Sequence, residues 1–148
     1  MSLKEQFNND LKEAQRSRDR MRTETLRLLK SAIKYAEIEV GHDLDDAGLL
    51  AVVTKQAKQR RDSIAEFEKG GRTDLVEKEA AELAILEAYL PAQISEAEIE
   101  ERARAIIAEL GVSDIKGMGQ VMKRMMAELK DQADGKIINQ VVRRLLNN

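Results

Sequence analysis

The chain has 148 residues, with 25 Lys and Arg against 27 Asp and Glu and a formal net charge of −2. Overall charge therefore gives no reason to expect a nucleic-acid partner, and only a local concentration of basic residues could indicate one. The absence of cysteine excludes disulfides, thiolate metal sites and a cysteine nucleophile. One proline, 3% aromatic and 35% charged residues favour long amphipathic helices over β-sheet.

The first ninety residues predict four helices, because apolar residues recur at helical spacing in four successive stretches. The stripes begin at Leu3, Leu26, Leu49 and Leu75. Gly41 is a natural stop for the second helix, and "KGGRTD" separates the third from the fourth. Pro91 ends the fourth helix, since its ring clashes with the preceding turn and it donates no backbone hydrogen bond. We therefore predict an N-terminal helical domain of about four long helices over residues 1–91.

Residues 95–148 predict a small tail domain of three helices, so that the whole chain is all-α. In "SEAE", Ser95 and Glu98 have the spacing of a capping box at the start of a helix, and Gly111 follows the end of that helix. The remaining stretch divides at "DQADGK", where Asp134 is the expected N-cap of the last helix. A domain of about 50 residues is small for a stable core.

Arg60 departs from the helical pattern of the first domain, because it falls on the apolar stripe of the third helix. A buried guanidinium is costly without a carboxylate partner. On the fourth helix, Glu79 falls on the apolar stripe and Glu82 lies close to it, so we predict that Arg60 pairs with one of them. The alternative is an anion site formed by Lys55, Lys58, Arg60 and Arg61.

The tail domain separates its charges along the chain. Residues 95–114 hold 2 basic and 6 acidic residues, whereas residues 115–148 hold 7 basic and 3 acidic. Projected at about 100° per residue, the polar residues of the last two helices line one flank of each apolar face. This candidate RNA-binding flank consists of Lys116, Gly119, Lys123, Lys130, Lys136, Asn139 and Arg143.

Two interpretations of this flank remain open. Ammonium groups about 10 Å apart along a helix, beside glycine, suit the successive phosphates of a nucleic acid. Lysine is also the usual residue of a solvated helix face, and this part of the chain has no aromatic side chain to stack on bases.

The sequence offers no catalytic residue, cofactor motif or metal site that we would assign. His42 is the only histidine, and the aspartates beside it are more typical of helix caps than of metal ligands. The phosphate-loop pattern G-x-x-x-x-G-K-[ST] and the dinucleotide pattern G-x-G-x-x-G are both absent. No apolar run approaches a membrane span and no small-molecule substrate is indicated. The N-terminus has no apolar signal segment, so we expect a cytoplasmic protein.

Three stretches resemble the YqeY family across essentially the whole chain: "LRLLKSAIKYAEIE", "KQRRDSIAEFEKGGRTDLVEKEAAELAILEAYLP" and "GMGQVMKRMMAELKDQADGKIINQVVRRLL". The last of them is also similar to the C-terminal domain of the B subunit of the glutamine-dependent aspartyl/glutamyl-tRNA amidotransferase. The tail residues that match are Lys116, Gly117, Gly119, Gln120, Met122, Lys123, Asp134, Gly135, Lys136 and Asn139. Asp131 and Gln132 depart from the family pattern, which reads glycine and then a basic residue there.

The resemblance implies a helical domain followed by a three-helix tail that serves the amidotransferase as a tRNA-binding appendage. In the amidotransferase, a kinase module and an amidase partner carry the chemistry, and this chain encodes neither. The family label of carbon–nitrogen ligase with glutamine as amido-N donor therefore describes kinship. We expect a non-catalytic accessory protein that binds tRNA. The alternative is a helical protein–protein adaptor that docks on an amidotransferase or a synthetase, and an enzyme acting on amide nitrogen would need a nucleophile not found here.

Overall fold

The computed structural model describes residues 1–129 and 132–147, and every regular element in this part of the chain is a helix. The prediction of an all-α fold is confirmed. The chain divides into two compact units, unit 1 at Met1–Leu90 and unit 2 at Pro91–Asn148. None of the helices described is long and apolar enough to cross a membrane.

Unit 1 contains four helices. They are α1 (Leu3–Arg16), α2 (Arg20–Val40), α3 (Asp46–Lys69) and α4 (Thr73–Glu87). Ser2 and Glu5 form a complete capping box at the start of α1, a signal that the sequence analysis did not identify. Gly41 ends α2 with a φ of 82°, a left-handed conformation that favours glycine. Val40, just before it, is 50% exposed, because the last turn of α2 extends beyond the core.

The core of unit 1 is formed by one apolar stripe from each helix. Its buried residues are Phe7, Leu11, Leu26, Leu29, Ile33, Leu49, Val53, Ala57 and Leu86. After α4, Tyr89 packs the edge of its ring against Phe7, with ring centroids 4.4 Å apart. The Tyr89 hydroxyl also donates a hydrogen bond of 2.5 Å to Oδ2 of Asp10. These contacts attach the end of unit 1 to α1.

Unit 2 is a bundle of three helices with one short 3₁₀ turn. The elements are α5 (Glu96–Leu110), the turn at Ile115–Gly117, α6 (Met118–Glu128) and α7 (Gly135–Leu146). Its core consists of Ile99, Ala103, Ile106, Val121, Met125, Leu129, Ile138, Val141, Val142 and Leu146. Each helix packs against the other two.

The entry into unit 2 and the turn before α6 are fixed by local contacts. Ser95 caps α5 by accepting a 3.2 Å hydrogen bond from the Glu98 amide, while the return bond of a full capping box does not occur among the described contacts. A Cβ on Gly117 would overlap the side chain of Val112, so this position requires glycine. The Ile94 amide donates to the Gln132 carbonyl at 3.0 Å, which ties the start of the unit to the turn after α6.

Candidate nucleic-acid interface

The acidic helix α5 neutralises the arginine of α6. Arg124 places Nη2 2.9 Å from Oε1 of Glu109 on α5 and Nε 3.0 Å from Oε1 of Glu128 on its own helix. The hydrogen bond that Arg124 donates to Glu109, followed by the one that it donates to Glu128, raises the pKa of Arg124. Arg124 therefore holds α6 to α5.

One of the two arginines of α7, Arg144, is engaged in the same way. Nη1 of Arg144 lies 3.4 Å from Glu96 and Nη2 lies 3.1 Å from Glu100, both on α5. Glu100 also accepts a 2.6 Å hydrogen bond from Arg104, and this bond is the main reason that the pKa of Glu100 falls below its ordinary value of 4.5. The glutamates of α5 thus attract one arginine from each neighbouring helix.

The adjacent cations are not neutralised. Lys116, Lys123 and Arg143 are exposed, and none forms an ion pair with the residues the structure describes. Lys123 precedes Arg124 and Arg143 precedes Arg144, so each pair is separated by about 100° around its helix. Paired and unpaired cations consequently project from different sides of α6 and α7.

Lys123 and Arg143 lie on the sides of α6 and α7 that do not face α5, whereas Lys116 lies on the 3₁₀ turn before α6. On α6, Arg124 projects from the α5 side of the buried stripe of Val121 and Met125, and Lys123 projects from the other side. The same argument places Arg143 on the α6 side of α7, because Arg144 reaches α5. Lys123 and Arg143 are therefore exposed on sides of their helices away from the ion pairs with α5.

The remaining predicted residues vary in environment. Lys136 is exposed, whereas Asn139 is partly buried. Gly119 is exposed, and a Cβ there would meet nothing within 4 Å, so packing within the unit does not require this glycine. Lys130 lies outside the described residues, as does Asp131, one of the two departures from the family pattern.

Acidic caps limit the basic surface at the helix ends. Oδ1 of Asp114 accepts from the Lys116 amide and Oδ1 of Asp134 accepts from the Lys136 amide, both at 2.9 Å. In contrast, no side chain caps the N-terminus of α6, which follows Gly117. The start of α6 is instead continuous with the 3₁₀ turn, in which the Met118 amide donates to the Ile115 carbonyl.

The arginines of α3 are engaged by carboxylates of α4. Nη1 of Arg60 is 2.9 Å from Glu79 and 2.7 Å from Glu82, and the Arg60 side chain is only 19% exposed. Arg61 lies 3.2 Å from Glu87. Because both arginines are paired with carboxylates, only Lys55 and Lys58 of the alternative anion site remain to bind an anion.

The aspartates near His42 have structural roles. Asp45 caps α3 through the Gly48 amide at 2.8 Å, and Asp46 accepts from the Leu3 amide at 3.2 Å. Within residues 1–129 and 132–147, no group of three or more His, Cys, Asp or Glu side chains is arranged to hold a metal ion.

Unit 1 also has an exposed apolar surface that was not predicted from the sequence. Met21, Leu28 and Tyr35 on α2 are 39%, 56% and 80% exposed, although they are large and apolar. Their spacing of seven residues was readable in the sequence, but only the burial of Leu26, Leu29 and Ile33 shows that this row faces away from the core.

Comparison with known proteins places these features in a family. Residues 4–146 match the family described as Yqey-like protein. The chain belongs to the YqeY family. It is 43% identical over 109 residues to "Altered inheritance of mitochondria protein 41, mitochondrial" of Lachancea thermotolerans, a match that covers 71% of this chain and 58% of the relative. The protein of the same name from Kluyveromyces lactis is 44% identical over 108 residues, with coverages of 71% and 58%. The one from Pyrenophora tritici-repentis is 34% identical over 127 residues, with coverages of 84% and 69%.

The YqeY chain therefore spans about 58% of the length of the first two relatives. All three relatives carry the word mitochondrial in their names. These names contradict the prediction of a cytoplasmic protein. That prediction rested on the absence of an apolar signal segment, a feature that bears on secretion and says nothing of mitochondria.

Proposed function

We propose that this YqeY protein is a non-catalytic accessory protein whose unit 2 binds the phosphate backbone of tRNA. The observation that carries the proposal is that some cations of unit 2 form ion pairs and others do not. The glutamates of α5 pair with Arg124 and Arg144, whereas Lys116, Lys123 and Arg143 form no ion pair among the described residues. A polyanion could bind these three groups without displacing a carboxylate from any of them.

The spacing of the free cations suits an extended anion. Lys116, on the 3₁₀ turn, and Lys123, on α6, are seven residues apart in sequence, and a nucleic acid presents phosphates repeatedly along its backbone. Gly119 lies between them with no side chain to hold a backbone away. Three phosphate contacts should make the logarithm of affinity fall with the logarithm of salt concentration at a slope of about −2 to −3.

The choice of tRNA rests on the similarity of the tail to the C-terminal domain of the amidotransferase B subunit. The composition of unit 2 supports recognition through phosphates and shape, because residues 91–148 contain no aromatic side chain on which a base could stack. Binding should therefore depend on folded RNA and discriminate only weakly among sequences.

The test is fluorescence anisotropy of labelled tRNA with the full chain between 50 and 200 mM salt. We expect affinity to fall about 20- to 40-fold over this range. Lys123→Glu should weaken binding and make the salt slope shallower by about one. Lys58→Glu, the same change at an exposed position of α3, should alter neither quantity. Salt-insensitive binding, or equal effects of the two substitutions, would refute the proposal.

A second candidate is the helical adaptor, which the exposed apolar row of α2 favours. It concerns a different surface in unit 1.

A further inference from the structure

We propose that the outer face of α2 docks an acidic amphipathic helix from another protein. The docking face consists of an apolar row, Met21, Leu28, Tyr35 and Ile38, beside a basic row, Arg20, Arg27 and Lys34. The proposal is independent of tRNA binding, since it involves other residues on another unit.

The apolar row is a second hydrophobic stripe on a helix that already buries one. Leu26, Leu29 and Ile33 fill the core side of α2, and a helix that packs only within its own unit needs a single such stripe. Leu28 and Tyr35 are 56% and 80% exposed. They lie nearly in line along the helix, because seven residues make almost two turns. Isolated exposed apolar residues are common, but a row of about 26 Å along one helix is typical of a docking surface.

The basic row determines the chemistry of the partner. Arg20, Arg27 and Lys34 are also seven residues apart, each one position before a member of the apolar row. In paired helices, residues that flank the apolar seam face charged residues of the partner. Arg27 and Lys34 have no ion pair among the described residues, while Arg20 lies 3.8 Å from Glu24. A row of carboxylates on the partner would complement them.

A second copy of the chain fits this face less well. In an antiparallel pair of α2 helices, the basic rows would face each other, and like charges would repel. In a parallel pair, the positions opposite each basic row would be 25, 32 and 39 of the other copy. Thr25 is buried within its own unit and Ala32 is uncharged, so only Glu39 could offer a carboxylate to one of the three cations. An acidic helix can offer a carboxylate to every cation of the row.

An anionic membrane surface also fits less well than an acidic helix. Glu24 is exposed and lies between Met21 and Leu28 on the apolar side, where it would be pressed against lipid headgroups of like charge. A helix presents carboxylates only at chosen positions, so Glu24 can stay 3.8 Å from Arg20 while carboxylates of the partner meet Arg27 and Lys34.

The experiment uses a labelled synthetic peptide of three heptads, with Leu at both core positions and Glu at both flanking positions. Glutamate on both flanks also keeps the peptide from pairing with itself. Fluorescence anisotropy with the full chain should show binding that Leu28→Gln and Lys34→Glu each weaken about fivefold or more. Lys12→Glu, on exposed α1 surface, and Lys123→Glu, in unit 2, should leave it unchanged. Leu28 and Lys34 are exposed, so both substitutions should preserve the fold, which circular dichroism can verify.

Several outcomes would overturn the proposal. One is equal binding of a peptide with lysine in place of glutamate, and another is binding that survives Leu28→Gln. A dimer in sedimentation that Leu28→Gln abolishes would assign the face to a second copy. Failure to bind the peptide, combined with Leu28-dependent binding to phosphatidylserine vesicles, would assign it to a membrane. None of these results would affect the tRNA proposal, whose test depends on Lys123.

Discussion

Arg60 donates a hydrogen bond of 2.9 Å to Glu79 and thereby fastens α3 to α4. The same nitrogen lies 2.7 Å from Glu82, whose residue is only 8% exposed. One guanidinium thus pairs with two carboxylates, and all three groups are largely shielded from water. Removal of the cation would leave the carboxylates facing each other without compensation.

We therefore expect Arg60→Met to lower the free energy of unfolding of unit 1 by about 2–4 kcal/mol. Urea denaturation followed by tyrosine emission can measure this, because both tyrosines, Tyr35 and Tyr89, belong to unit 1. Arg72→Met is the matched control, since Arg72 and Asp74 form an exposed pair at 3.3 Å that should matter little. Equal effects of the two substitutions would show that the Arg60 contacts are not structural.

Two glycines that are two positions apart should respond oppositely to alanine. Gly119→Ala should stabilise unit 2 by about 0.5–1 kcal/mol, because a Cβ there meets nothing and alanine favours the helix. Gly117→Ala should destabilise it, because the Cβ overlaps Val112. Thermal unfolding by circular dichroism at 222 nm, compared with the tyrosine signal of unit 1, separates the two effects. Weaker tRNA binding by Gly119→Ala would show that the ligand requires a residue without a side chain at this position. Stabilisation without any loss of binding would show that Gly119 is not part of the proposed site.

Glu37 should make the stability of unit 1 depend on pH in the acid range. Its carboxylate accepts from the Leu44 amide at 2.9 Å and lies 3.1 Å from Nζ of Lys4. Both contacts lower the pKa of Glu37 below its ordinary value of 4.5, and the hydrogen bond from the Leu44 amide has a larger effect than the one from Lys4. The stabilisation is therefore complete above pH 4.5 and is lost as the pH falls through the lower pKa of the folded state.

Comparison of the wild type with Glu37→Gln tests this dependence. Urea midpoints from tyrosine emission should show the variant to be less stable at pH 7, and the difference should shrink at pH 3, because the stabilisation is lost progressively as the pH falls below 4.5. A difference of the same size at both pH values would mean that charge on Glu37 contributes nothing.

Helices and their ends could largely be predicted from the sequence, because periodicity and capping are local properties. The apolar stripes, the left-handed Gly41 and the capping Asp134 are examples. Arg60 could be predicted to need a carboxylate, since a charge on an apolar stripe violates a local rule.

Which cations of the basic surface are paired with carboxylates could not be predicted from the sequence. Lys123 and Arg124 are adjacent, and nothing local indicates that Glu109 engages one and leaves the other free. That distinction depends on which side of α6 faces α5, which is a matter of tertiary packing. For the same reason, the row that includes Leu28 could be recognised as exposed only once the buried side of α2 was known.

The division between arginine and lysine in unit 2 has a chemical consequence. Glutamates of α5 pair with Arg104, Arg124 and Arg144, and Arg102 of α5 lies 3.9 Å from Glu128 of α6. Acetylation neutralises an amine but leaves a guanidinium untouched, so acylating reagents could discharge Lys116 and Lys123 while the bundle keeps its internal ion pairs. Acylation would thus remove two of the three unpaired charges, those of Lys116 and Lys123, and leave Arg143 and the arginine–glutamate pairs unchanged.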